Sequence, residues 1–165
     1  MNAPYTLRPA IPSDYPLIAS WVTDAHSCAR WAGPNLSFPF DPADLAALLD
    51  TSGAESYVLT NPQSALLGFG QFWVRVPGSV HLGRIIIAAG MRGHGLGWEL
   101  CSRLICKAIA HSKAERVTLR VYRDNAPAQA LYRSLGFAPV SDESNDETIF
   151  MQVTAVHALS IVSEA

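Results

Sequence analysis

Charge is scarce in this chain. Asp, Glu, Lys and Arg make up 16% of its 165 residues, and 12 basic against 14 acidic side chains leave a formal net charge of −2. Proteins that bind nucleic acid usually carry a basic excess, because phosphates are neutralised by Lys and Arg. No such excess exists, so no nucleic-acid partner is expected, although a local basic patch stays open. Cysteine is scarce too. Cys28, Cys101 and Cys106 cannot close a disulfide framework, and their spacings do not resemble metal-ligand pairs. No metal is expected, and a reducing cytoplasm fits best. Long hydrophobic runs are missing. The longest, Ile85-Ile86-Ile87-Ala88-Ala89, is strand-sized and far short of the ~20 residues a spanning helix needs, so no membrane partner is expected. Met1-Asn2-Ala3-Pro4-Tyr5 lacks the basic and apolar stretches of a secretory signal. Without secretion, the sequon Asn35-Leu36-Ser37 carries no weight. Repeats and low-complexity tracts are absent, and no linker divides the chain, so residues 1–165 read as a single domain. What is present is apolar content, 49% of the residues, which excludes a disordered chain.

The order of elements is mixed. Tyr5 to Arg8 reads as a first strand, ended by Pro9. Ser13 or Asp14 caps a helix expected to run to about Asp24, with Tyr15, Ile18, Trp21 and Val22 on one face. An aromatic, Pro-rich loop follows, Trp31 to Phe40. Asp41 and Pro42 open a second helix to about Leu49. Ser56–Thr60 and Ala65–Val76 read as strands joined by a turn, and Pro77-Gly78 turns the chain again into a meander. His81 to Ala88 is a fourth strand, whose isoleucines suggest burial on both faces. Leu96 to about His111 is a helix with Leu100, Cys101, Leu104, Ile105, Ala108 and Ile109 inward and Glu99, Ser102, Arg103 and Lys107 toward water. Arg116 to Tyr122 is a fifth strand. Asp124 or Asn125 starts a further helix that ends at Gly136. Phe137–Val140 and Thr148–Ala155 are closing strands, Ser141 to Glu147 is an exposed turn, and the tail after Val156 is ambiguous. Strand, helix, strand from His81 to Tyr122 implies a parallel pair with a right-handed crossover. The expected class is α+β (mixed α/β), in three layers.

Two segments carry chemistry. Arg92-Gly93-His94-Gly95-Leu96-Gly97 lies between a strand and a helix. Glycines let the backbone approach a ligand closely. The N–H groups and dipole of the helix start favour an anion there, and Arg92 adds a charge-assisted contact. A dinucleotide fingerprint or a Walker loop would need different spacing, and a plain tight turn remains the alternative. The second segment runs from Val121 to Phe137, with Asn125, Ala128, Leu131, Tyr132, Leu135, Gly136 and Phe137 at its marked positions.

The R-x-x-G-x-G turn followed by the N-x-x-A-x-x-L-Y-x-x-L-G-F helix resembles the paired signature of the GNAT superfamily of acetyl-CoA-dependent N-acetyltransferases. The match covers about residues 81 to 137, and the flanking elements agree with that fold. The resemblance implies a three-layer α/β/α domain around a mixed, mostly antiparallel sheet whose parallel fourth and fifth strands splay apart. It implies acetyl-CoA as cosubstrate. Ile85, Ile86, Ile87 and Ala88 would pair with the pantetheine arm like an added strand. Arg92, Gly93, His94, Gly95, Leu96, Gly97 and Trp98 would hold the pyrophosphate. Asn125, Ala128 and Tyr132 would complete the cofactor site. The Ile87 N–H would polarise the thioester carbonyl, and Tyr132 would act as general acid toward the thiolate; a core aromatic is the alternative for Tyr132. One departure stands out: many relatives have Val-x-Pro before the glycine turn, where this chain has Ile87-Ala88-Ala89.

The general base is not evident. His81 titrates in the right range, yet a lone histidine at a strand end is ordinarily a surface residue; Asp124 and Glu55 are weaker candidates. Trp31, Phe38, Phe40, His81 and Arg84 are expected on the acceptor side, where aromatics would sandwich an apolar or cationic group and Arg84 would favour a carboxylate. The resemblance implies a small-molecule or peptide amine as acceptor, and a homodimer is an expectation drawn from small members of the family. A non-catalytic acyl-CoA-binding sensor and a nucleotide-binding module are the rival readings.

Overall fold

In a computed structural model, residues 4–51 and 53–165 are described; residues 1–3, read above for a secretory signal, lie outside them. Strand β1 (Thr6–Pro9) leads through a 3-10 turn (Pro12–Asp14) into α1 (Tyr15–Ser20) and α2 (Ala25–Ala32). A second 3-10 turn (Pro42–Asp44) and α3 (Leu45–Leu48) precede β2 (Glu55–Thr60), β3 (Leu66–Val76) and β4 (Ser79–Ile87). Then come α4 (Leu96–Ser112), β5 (Arg116–Tyr122), α5 (Ala126–Ser134), β6 (Ala138–Pro139), β7 (Thr148–Thr154) and α6 (Ala155–Glu164). The strands form one mixed sheet in the order β1-β2-β3-β4-β5-β7-β6. The β4–β5 pair is parallel, as the crossover rule required, with Ser79↔Arg116, Val80↔Val117 and His81↔Thr118 in register. β1–β2, β5–β7 and β6–β7 are antiparallel.

The first expected helix ends early, and a helix that was not expected follows it. Trp21 and Val22 are buried as predicted, but α1 stops at Ser20, and Asp24 starts a new helix. The Asp24 carboxylate accepts from the Ser27 N–H at 2.7 Å, and the Ser27 hydroxyl sits 3.4 Å from the Asp24 N–H. This reciprocal cap satisfies N–H groups that the first turn cannot pair internally. The second expected helix begins as read, with Asp41 accepting from Ala43 N–H at 2.9 Å, but its first turn is 3-10. The ambiguous tail is a helix, capped by Thr154 accepting from His157 N–H at 3.2 Å.

Contacts group the chain into two compact units, Met1–Gln71 with Arg84–Leu100, and Phe72–Gly83 with Cys101–Ala165. In the first, Tyr15, Ile18, Trp21, Cys28, Leu45, Leu49, Val58, Phe69 and Ile86 form one core cluster, and Leu59, Leu67, Leu96 and Leu100 form another. The isoleucine run divides between them. Ile86 joins the first cluster, while Ile85 and Ile87 are only partly buried against the second, so full burial on both faces does not hold. In the second unit the core contains Cys101, Leu104, Ile105, Ala108, Val117, Leu119, Met151 and Val153. Ser102, expected to face water, is buried at 3% exposure.

Candidate active site

The glycine turn is built as a backbone device. Gly93 and Gly95 have φ of +81° and +76°, and a Cβ on either would meet nothing within 4 Å. Glycine is therefore required by the left-handed conformation and not by crowding. Arg92, Gly93, His94 and Gly95 are exposed, and Leu96 is buried at the start of α4. Gly97 and Trp98 lie half-buried in its first turn. The first α-helical bond runs from Glu99 N–H to Gly95 C=O at 3.3 Å, so the N–H groups ahead of it have no partner within the helix. Such a turn suits an anion. Arg92 folds back, its Nε donating to the Ile87 carbonyl at 3.3 Å.

Strand β4 offers alternate backbone groups. Ala88 N–H donates to Leu67 C=O of β3 at 2.8 Å, and its own carbonyl accepts from Met91 N–H at 3.0 Å. The Ile86 carbonyl also faces β3, within 3.1 Å of where a Gly68 side chain would begin. Because successive residues of a strand direct their groups to opposite edges, Ile85 and Ile87 turn their N–H and C=O away from β3. Of the four residues expected to pair with an extended ligand, these two have N–H groups directed away from β3, while the Ile87 carbonyl already accepts from Arg92.

Tyr132 sits on α5 at 8% exposure. Burial, and then the neighbouring Cys101, push its phenol well above the ordinary range, and burial alone raises the Cys101 thiol to about 12. Both therefore stay protonated at neutral pH. The Tyr132 ring meets Phe137 edge-on at 6.0 Å, and the Tyr132 carbonyl accepts from the N–H groups of Leu135 and Phe137. Asn125 is the N-cap of the same helix: its Oδ1 accepts from Ala128 N–H at 3.2 Å. Of the two expected helix starts, Asp124 and Asn125, the structure shows Asn125 as the cap, with Ala128 as its hydrogen-bond partner.

The acceptor-side residues divide. Trp31 Nε1 donates to the Arg84 carbonyl at 2.8 Å, joining residues far apart in sequence. Phe38 and Phe40 meet edge-on at 6.0 Å and pack against the same core cluster as Trp31. His81 belongs to the second unit and is not a surface histidine. It is 9% exposed, its Nδ1 lies 2.8 Å from Thr118 Oγ1, and its ring stacks on Phe150 at 6.1 Å beside Trp73. Burial first, then Arg75 and Arg120, lower its pKa to about 4. A neutral ring of such low basicity is a poor proton acceptor for an ammonium of pKa about 10. Two residues that sequence reading missed, Thr51 and Gln71, hold the Arg84 side chain. Gln71 was detectable as the one amide inside an apolar strand. Among the described residues no group of three or more His, Cys, Asp or Glu is placed to hold a metal. Among the same residues no helix is long and apolar enough to cross a membrane.

The strand, glycine turn, helix, strand and helix follow one another in an order shared with known proteins. The family model of the Acetyltransferase (GNAT) domain matches residues 5–138, and the chain belongs to that family. It is 32% identical over 102 residues to N-alpha-acetyltransferase 40 of Saccharomyces cerevisiae, covering 57% of this chain and 35% of the yeast protein. It is 34% identical over 61 residues to the uncharacterized N-acetyltransferase YobR of Bacillus subtilis, covering 37% of this chain and 24% of that one. The matches thus span about a third or less of these curated relatives. Among solved structures, spermidine N-acetyltransferase from Vibrio cholerae in complex with CoA and spermine superposes with a TM-score of 0.80 at 20% identity, covering 96% of this chain and 99% of that one. A dodecameric form of the same enzyme gives 0.72 at 19% identity, covering 96% and 98%. At these identities the likeness is one of fold.

Proposed function

We propose that the chain moves the acetyl group of acetyl-CoA to a primary amine by direct attack. The observation that carries this reading is the glycine turn, open to solvent at Gly93 and Gly95 and leading into the start of α4. Its left-handed glycines and the unpaired N–H groups of the first turn fit a pyrophosphate. Arg92 to Trp98 would hold that group, and Ile85 and Ile87 would pair with the pantetheine amides. Ala88, whose backbone groups are already bonded, would contribute through a second bond on its carbonyl.

Acetyl-CoA supplies an activated thioester whose leaving group is a thiolate. The Ile87 N–H, turned away from β3, would polarise the thioester carbonyl and stabilise the negative charge that grows on its oxygen. Tyr132 would face the departing sulfur. A thiolate of pKa about 8.5 does not take a proton outright from a phenol of pKa above about 10. Hydrogen-bond donation from a permanently protonated Tyr132 is therefore the stronger part of its acid role. Holding both reactants together removes much of the entropic barrier.

The test monitors free-thiol release from acetyl-CoA against a library of amines, with calorimetry for coenzyme A, ATP and NAD. Amine-dependent release with coenzyme A binding supports the reading. Binding without release for any amine would favour an acyl-CoA sensor, and tight binding only of a nucleotide lacking pantetheine would defeat both. Tyr132→Phe should lower kcat by about 10–100-fold at unchanged acetyl-CoA affinity; an unaltered kcat removes Tyr132 from the mechanism.

A further inference from the structure

One side chain of the glycine turn reaches back to the strand before it. The Ala88 carbonyl accepts from Met91 N–H at 3.0 Å, so the chain reverses just past the end of β4. Gly90 supplies the left-handed φ of +85° inside that reversal, a conformation glycine adopts without steric cost. The reversal carries Arg92 back alongside β4. There its Nε donates to the Ile87 carbonyl at 3.3 Å. Both residues belong to the same compact unit.

Two demands meet at this bond. Ala88 gives its N–H to Leu67 of β3, and alternate residues of a strand face opposite edges, so the Ile87 carbonyl lies on the other edge. The β4–β5 register runs through Ser79, Val80 and His81, and β4 continues beyond them to Ile87. That edge is the one an extended ligand would use, and Arg92 stands on it. Arg92 is also the charged side chain of the turn proposed to hold pyrophosphate. The two partners are unequal. The carbonyl is neutral, the bond is exposed, and 3.3 Å is longer than the usual range of about 2.7–3.2 Å. A bond to a charged phosphate oxygen is shorter and roughly twice as strong. An anion in the turn therefore outcompetes the carbonyl for the guanidinium.

We propose that Arg92 couples the two halves of the cofactor site: it guards the Ile87 carbonyl until a diphosphate draws it away, and that carbonyl then pairs with the pantetheine arm. The inference rests on the acetyl-transfer reading above. Linkage makes the coupling reciprocal, so each half of the cofactor tightens the other. Its size is bounded by the bond given up, which corresponds to about three- to tenfold in affinity. The consequence is selectivity for the acyl donor. Short thioesters that lack a diphosphate meet a guarded edge, whereas coenzyme A thioesters open it.

The experiment uses pantetheine and ADP as the two halves. Calorimetry measures each alone and each with the other saturating, on the unaltered chain and on Arg92→Ala. The inference expects Arg92→Ala to bind pantetheine alone about three- to tenfold more tightly and ADP alone more weakly. Saturating ADP should tighten pantetheine binding by the same factor in the unaltered chain and not in Arg92→Ala. NMR adds a readout that needs ADP only. The Ala88 amide nitrogen is bonded to the Ile87 carbonyl carbon, so its resonance should shift when ADP is added, and much less in Arg92→Ala. Equal pantetheine affinity in the two proteins, or coupling that survives in Arg92→Ala, overturns the inference while coenzyme A binding and acetyl transfer stand. The carbonyl's second lone pair would then accommodate both donors. Failure of the unaltered chain to bind coenzyme A takes down the acetyl-transfer reading, and this inference with it. If Arg92→Ala does not fold, or pantetheine binds too weakly for calorimetry, the ADP-dependent Ala88 shift of the unaltered chain decides: an unmoved resonance at saturating ADP overturns the inference.

Discussion

Protonating His81 should destabilise the fold within a defined pH window. Its imidazole is packed between Trp73 and Phe150, with Nδ1 on the Thr118 hydroxyl and Arg75 and Arg120 close by. Its pKa falls from 6.5 to about 4. The folded state refuses a proton that the unfolded chain accepts, so stability is full above pH 6.5 and is lost as pH falls toward 4. The difference of about 2.5 units corresponds to about 3 kcal/mol at 1.36 kcal/mol per unit. That is a large share of the usual 5–15 kcal/mol of a folded domain. Below about pH 4 both states bind the proton, and this contribution levels off. Two assays check it. The imidazole Cε1–H resonance, followed by NMR, should stay in its neutral position down to about pH 4. Urea unfolding from pH 7.5 to 4.5 should show a slope that is absent in His81→Gln. A titration midpoint near 6.5, or equal slopes in the two proteins, would refute the reasoning.

Other perturbations follow from local geometry. Asp14 accepts from Arg8 Nη1 and Nη2 at 2.8 and 2.9 Å and from Ile11 N–H at 2.8 Å, and the Arg8 hydrogen bonds hold its carboxyl below the usual range. Its stabilisation is present above pH 3.8 and is lost below it, under the His81 window; Asp14→Asn should cost about 1–3 kcal/mol in denaturant unfolding at pH 7. Gly136→Ala places a Cβ within 2.8 Å of Ile161 and 2.9 Å of His157 at φ of +95°. Overpacking and backbone strain together should cost about 2–4 kcal/mol, read as a lowered Tm. Gly95→Ala, by contrast, places its Cβ in open space at φ of +76°. It should cost only about 1–2 kcal/mol of stability while raising the acetyl-CoA KM, because it distorts the proposed pyrophosphate turn.

The long helix α4, the strands β2 to β5, the glycine turn and the start of α5 were legible because each is written in local chemistry. Apolar residues recur on one helix face, Asn125 caps, Pro127 sits in a first turn, and glycines stand where φ is positive. Helix α2 was missed although its signal was present: Asp24 and Ser27 form the cap, but the helix buries only Cys28 and Ala32, so no apolar stripe announces it. Helix α6 was obscured for the opposite reason. It buries Ala155 and Ala158 and leaves Val156 82% exposed, so its most hydrophobic residues misreport its inner face.

Most local order, the parallel crossover and the family resemblance were thus legible in the sequence, since propensity, capping, periodicity and the two motifs act over short stretches of chain. The state of individual side chains was settled only by tertiary structure. His81 looks like a titrating surface residue until Trp73, Thr118 and Phe150 bury it. Arg84 looks like any strand arginine until Trp31, Thr51 and Gln71, brought from other elements, fix its backbone and its charge. Desolvation and hydrogen bonding between distant segments decide such cases, and neither is written in the residues next to the one affected.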